Sequence, residues 1–130
     1  MTVPSITALY AGLLALLLFV LSARVIAVRR ALGVALGDGE DKRLALRIRA
    51  QANFVEYTPI ALLLILLAEL LGTAGWLIHA LGITLLFGRS VHAWSMASGN
   101  LRARVTGMLC TFAVLIVGAG CCLVGAFARG

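Results

Sequence analysis

A chain of 130 residues that is 62% hydrophobic and 12% charged cannot clothe a water-soluble globule, because soluble domains carry about 25% charged residues to solvate their surfaces. The same figures exclude disorder. The net charge of +6 does not describe a nucleic-acid surface either: ten of the eleven basic residues fall in two stretches that separate long apolar runs, which is the distribution of a membrane topology signal.

The first apolar run carries no charge from Met1 to Ala23, long enough to cross a hydrocarbon core of about 30 Å as a helix. It lacks the Lys or Arg that precedes the apolar part of a cleaved signal peptide, so a retained span is expected. Arg24, Arg29 and Arg30 close it, and Gly33, Gly37, Asp38 and Gly39 mark a loop. A second helix is expected to begin near Asp41, where Asp38, Glu40 and Asp41 complement a helix dipole. It runs through Arg47, Arg49, Asn53 and Glu56 before the apolar stretch Tyr57 to Ala68, with Pro59 inside it as an expected kink. Gly72, Thr73 and Gly75 form a turn; Leu70 to Gly88 is a third run, containing His79, and Arg89 and His92 follow it. Gly99 and Asn100 form the last turn before the fourth run, Val105 to Ala128. The expectation is an all-α protein: one domain over residues 1–130 and a transmembrane four-helix bundle with spans at about 3–28, 44–70, 72–93 and 104–128.

With four spans the first and third loops share a side. Those two regions hold the ten clustered basic residues, and Arg129 alone lies opposite. Positive charge accumulates on the cytoplasmic side, so both loops are expected there and both termini on the other side. Cys110, Cys121 and Cys122 have no partner at metal spacing and read as packing residues, so no metal site is expected. His79 reads as a packing or interface residue, and Trp76 as an anchor at the membrane surface.

The informative cluster is Arg49, Gln51, Asn53, Glu56 and Tyr57. At about 100° per residue Arg49, Asn53 and Glu56 fall within about 60° of one another, Tyr57 flanks them, and Gln51 points the other way. Charged groups at the edge of the hydrocarbon are functional candidates by default. The spacing alone allows a second reading equally, in which Glu56 neutralises an arginine to hold helices in register.

The run Arg49-Ala50-Gln51-Ala52-Asn53-Phe54-Val55-Glu56-Tyr57-Thr58-Pro59 resembles the signature of the MAPEG superfamily, the membrane-associated proteins of eicosanoid and glutathione metabolism, and is most similar to its leukotriene C4 synthase branch. Val25 to Arg30, Arg89 and Asn100-Leu101-Arg102 extend the resemblance to the whole chain. It implies a homotrimer of four-helix subunits in membrane lipid, with glutathione bound as cosubstrate between neighbouring subunits. It implies glutathione contacts for Arg49, Gln51, Asn53, Glu56 and Tyr57, with Arg29 and Arg30 as further cations, His92 where the branch has a tyrosine, and Arg102 as the catalytic cation. The implied reaction is glutathione transfer to, or peroxide reduction of, a lipophilic small molecule. The chemistry agrees: arginine forks suit the two carboxylates of glutathione, Glu56 suits its ammonium, and a nearby cation raises the thiolate fraction.

Two departures stand against the branch pattern. His92 and Met96 occupy the tyrosine positions at the end of helix three, and Met96 cannot donate a hydrogen bond; Arg102 aligns only across one deletion. His92 reads either as a hydrogen-bonding group in the site or, as the preferred reading, as an interfacial ring beside Trp94. The alternative function is a non-catalytic lipid-binding or accessory membrane protein on the same fold. A small transporter is disfavoured, since only the second span carries an internal charge.

Overall fold

The computed structural model describes residues 3–130, so Met1 and Thr2 of the first uncharged run lie outside the described residues. Four helices follow one another: α1 (Ser5–Leu32), α2 (Lys42–Leu70), α3 (Gly75–Ser98) and α4 (Leu101–Arg129), with no strand among the described residues.

The helix ends follow from local chemistry. Arg29 and Arg30 occupy the last turn of α1, where cations oppose the negative end of the dipole, and Gly33 (φ 68°) caps it by donating its N–H to the Arg29 carbonyl. At the start of α2 the expected dipole effect resolves into a side-chain cap. Asp41 accepts the N–H of Leu44 at 2.9 Å, while Asp38 turns back to accept the N–H of Glu40 and no acid sits in the first helical turn. Asn100 caps α4 in the same way, accepting from Ala103 at 3.1 Å, directly after Gly99 (φ 74°) ends α3. Pro59 lies inside α2, which stays helical on both sides of it.

At about 1.5 Å per residue even the 24 residues of α3 span more than about 30 Å of hydrocarbon. Helices α1, α2 and α4 are long and apolar enough to cross a membrane; α3 has the length, but His79, Arg89 and His92 dilute its apolar character. In the bundle α2 and α3 are central, and α1 and α4 lie on opposite sides, each touching both central helices and not each other. The core runs along this seam through Leu14, Leu21, Phe54, Ile65, Ile78, Leu85 and Val114. Outward-facing side chains of α1 and α4 are large and apolar, among them Leu16, Phe19, Ile116, Val124 and Phe127. That surface suits lipid or another membrane helix.

In lipid the association of helices relies on close packing and interhelical hydrogen bonds rather than on water exclusion. Both occur here. Gly88 and Gly107 let α3 and α4 approach until a Cβ on Gly107 would lie 2.7 Å from the Gly88 carbonyl oxygen. At the end away from the basic loops, buried Glu69 of α2 accepts the backbone N–H groups of Ile6 (3.1 Å) and Thr7 (2.8 Å) and the Thr7 hydroxyl (2.5 Å). The Tyr10 hydroxyl lies 2.9 Å from His79 Nδ1. Glu69 thus fastens α1 to α2, and His79 has a polar partner on α1. The three cysteines are free, and Cys122 donates to the Leu64 carbonyl across the α2/α4 contact at 3.3 Å.

Candidate functional site

The polar stripe of α2 has two levels. On the outside, Arg49 Nη1 lies 3.5 Å from Glu56 Oε1, with the side chains 57% and 51% exposed. An ion pair so open and so long contributes about 0–1 kcal/mol, which leaves both ends available to other partners. Between them Asn53 turns inward and is buried; its Oδ1 accepts a hydrogen bond from Arg89 Nη1 of α3 at 2.5 Å. Tyr57 sets its ring edge-on against Phe112 of α4, with centroids 5.7 Å apart.

Arg89, which the sequence does not single out as a site residue, is the largest fully buried side chain among the described residues. Besides Asn53 it reaches only the Met108 sulfur, at 3.4 Å, and its Nε has no partner among the described residues. A buried cation ordinarily sits beside a carboxylate, because desolvating it costs several kcal/mol. Here it sits beside a neutral amide. Its position three residues before His92 in the motif Gly88-Arg89-Ser90-Val91-His92 was the available signal, but nothing in the sequence reveals which face of α3 it occupies.

His92 corrects the preferred reading of it. The ring does not sit beside exposed Trp94 but is buried in the α3/α4 contact, with its Cβ 2.8 Å from where a side chain on Gly107 would begin. Arg89, Arg104 and Arg49 all lie within coulombic reach of it. Arg104, a second residue that the sequence reading passed over, is half-buried with an unpartnered Nε, whereas Arg102, two residues earlier and about 200° round α4, is exposed.

The remaining expected residues lie elsewhere. Gln51 Nε2 donates to the Ser22 hydroxyl of α1 at 2.9 Å. Arg29 donates to the Gly37 carbonyl at 2.6 Å, tying the loop to the end of α1, and Arg30 is exposed beside it. The expected set therefore divides across α2. Asn53 and Tyr57 reach α3 and α4, Arg49 lies within coulombic reach of His92 on α3 and pairs with Glu56, while Gln51, Arg29 and Arg30 belong to the α1 side. Around the stripe three guanidinium groups, Arg49, Arg89 and Arg104, stand against one carboxylate, Glu56.

A helical membrane protein with a polar, net-cationic face on its second helix, opening at one end of the bundle, is the class that these features define. The chain belongs to the MAPEG family, whose sequence profile matches residues 7–124. It is 41% identical over 112 residues to the inner membrane protein YecN of Escherichia coli strain K12, with 86% of each chain covered, and the same figures hold for YecN of strain O6:H1 CFT073.

Proposed function

We propose that this protein binds glutathione at the α2 stripe, between neighbouring copies of a homotrimer, and transfers it to lipophilic electrophiles that arrive through the bilayer. The observation that carries this reading is the charge imbalance of the stripe. Two carboxylates on the ligand answer the surplus of guanidinium groups, and its ammonium answers the open end of Glu56. The division of the expected residues across α2 supports the oligomer. Gln51, Arg29 and Arg30 cannot join Arg49 and Glu56 within one chain, but a ring of subunits brings the α1 side of one copy against the stripe of the next.

In the reaction the thiol proton is released, the thiolate sulfur forms a bond to the electrophilic carbon, and the leaving group departs with its bonding electrons. A cation beside the sulfur increases the thiolate fraction. The resemblance gives that role to Arg102; the half-buried position of Arg104 near His92 favours Arg104 within this chain. Turnover of 1-chloro-2,4-dinitrobenzene by Arg102→Ala and Arg104→Ala distinguishes the two. The orientation that goes with this reading has the α1–α2 and α3–α4 connections, and hence the site, on the cytoplasmic side.

Calorimetry of the purified protein tests the core of it. Glutathione is expected to bind at millimolar-range concentrations, with binding lost in Arg49→Ala and Glu56→Ala; no binding, or variants that behave as wild type, refutes it. Coexpression tests the shared site. Protein carrying only Arg49→Ala/Glu56→Ala and protein carrying only Arg30→Ala/Gln51→Ala should each fail to bind, whereas random mixing of the two in a ring should restore about a quarter of the sites. A second reading, a non-catalytic lipid-binding protein, is favoured by buried Met96, which supplies no donor where the leukotriene branch has a tyrosine. Glutathione binding without turnover of either dinitrobenzene or a lipid hydroperoxide would select it.

A further inference from the structure

A cavity lies roughly 100° round α2 from the stripe and uses none of its residues. It has a volume of about 440 Å³ and lies between α1, α2 and α3 at the end of the bundle where the α1–α2 loop emerges. Volumes of about 300–1,000 Å³ are typical of small-molecule sites. Helix α2 lines it with Arg43, Leu46, Arg47 and Ala50, one face by the helical repeat, with Lys42 at the rim. Helix α1 supplies Leu21 and Arg24, and α3 supplies Ala93, Met96 and Ala97. The floor is apolar, and all four charged residues are cations.

None of the four has a salt-bridge partner among the described residues, where the one ion pair is Arg49 with Glu56. Arg24 and Arg43 both lie within coulombic reach of Arg47, whose Nε is buried without a hydrogen-bond partner. Like charges gathered round an apolar hollow repel one another unless an anion sits among them. Of the acids nearest in sequence, Asp41 caps α2 and Asp38 holds the N–H of Glu40, and neither these two nor Glu40 itself lines the cavity or forms an ion pair among the described residues.

We infer that this cavity holds the phosphate of an anionic membrane lipid, with its acyl chains leaving over the apolar floor into the bilayer. Basic pockets between transmembrane helices recognise such headgroups. The absence of any lining carboxylate sets the specificity: a headgroup carrying an ammonium, such as ethanolamine, or glutathione with its amine, finds nothing to pair that charge. A headgroup that is purely anionic is matched. The site is thus distinct in chemistry from the stripe and does not depend on the glutathione reading.

Native mass spectrometry of the full chain, released from detergent with equimolar phosphatidylglycerol and phosphatidylethanolamine of identical acyl chains, tests the inference. Retained adducts are expected to favour phosphatidylglycerol at least tenfold. Each cation near an anionic headgroup contributes about fivefold, so Arg24→Gln and Arg47→Gln should each lower the preference by about that factor. Ala97→Phe, which obstructs the cavity and leaves every charge in place, should abolish retention, and it keeps the test valid if a charge variant fails to fold. Arg49→Gln/Glu56→Gln should leave the preference unchanged. No headgroup preference, or one insensitive to both Arg47→Gln and Ala97→Phe, overturns the site. Displacement of the lipid by equimolar glycerol phosphate overturns the lipid assignment in favour of a soluble phosphate.

Discussion

The contact between Asn53 and Arg89 carries a prediction whose size follows from its surroundings. Arg89 is 2% exposed, and one amide oxygen is its only oxygen acceptor among the described residues. Asn53→Leu removes that acceptor and leaves the cation facing the Met108 sulfur. A hydrogen bond to a charged group contributes about 1.5–3 kcal/mol, and stranding a buried charge costs at least as much, so a loss of about 2–3 kcal/mol is expected. Arg89→Met alone strands only a neutral amide oxygen, and it also relieves the desolvation of the cation, so its cost should be about 1 kcal/mol. The double variant replaces both polar groups by apolar ones and should lie near wild type. The coupling in this cycle is then about 3–4 kcal/mol, the two single losses together against almost none for the double. Unfolding in mixed detergent and dodecyl sulfate micelles, followed by far-ultraviolet circular dichroism, measures it. Additive losses, or Asn53→Leu within about 0.5 kcal/mol of wild type, would show that Arg89 draws its stability from elsewhere and would refute the reasoning.

Three further outcomes are expected. Gly107→Ala places a Cβ 2.7 Å from the Gly88 carbonyl oxygen and 2.8 Å from His92 Cβ; backbone must move, at a cost of about 1–3 kcal/mol, and glutathione affinity should fall with it, whereas an unchanged melting curve would contradict the close approach. Glu69→Ala removes the acceptor of three hydrogen bonds from α1 and should cost about 3 kcal/mol, read as selective protease cleavage near Thr7, while Glu69→Gln should lose less. Gly37→Cys and Ser98→Cys should both resist membrane-impermeant maleimide in intact cells and react in inverted vesicles; labelling of either in intact cells would overturn the charge-derived orientation.

The difference between what the sequence makes legible and what it hides lies in the kind of information each element carries. Four helices could be read because hydropathy is a sum over twenty or so residues, insensitive to any one of them, and because Gly33, Asp41, Gly99 and Asn100 are end signals with a local mechanism. The stripe of Arg49, Asn53 and Glu56 could be read because helical geometry fixes which residues of one helix share a face. Contacts between helices have no such rule. That Asn53 turns inward to Arg89, that Gln51 reaches Ser22, and that Glu69 gathers the first turn of α1 depend on the rotation of each helix about its axis, which apolar helices with weak amphipathic character do not declare. His92 illustrates the cost. Beside Trp94 in sequence it reads as an interfacial ring, yet adjacent residues point about 100° apart on a helix, and the pair Gly88 and Gly107 draws the His92 face of α3 against α4 while Trp94 stays outside.

The same rotation gives α2 its functional character. Its N-terminal half is too polar for a span that merely crosses lipid, and the surplus is divided among three directions. Asn53 turns inward to Arg89 of α3 with the Arg49–Glu56 pair outside it, Gln51 turns toward α1, and Arg43 with Arg47 toward the cavity that α1 and α3 complete. A helix that needed one anchoring ion pair would have had no use for the other two faces. Within the described residues the stripe keeps one carboxylate for three guanidinium groups and the cavity keeps none for four cations. Charge left uncompensated on two separate faces of one helix favours counter-charge from outside the chain, and the two faces differ in whether a carboxylate is present to accept an amine. On the readings proposed above, that difference separates a zwitterionic peptide ligand on the stripe from a purely anionic headgroup in the cavity.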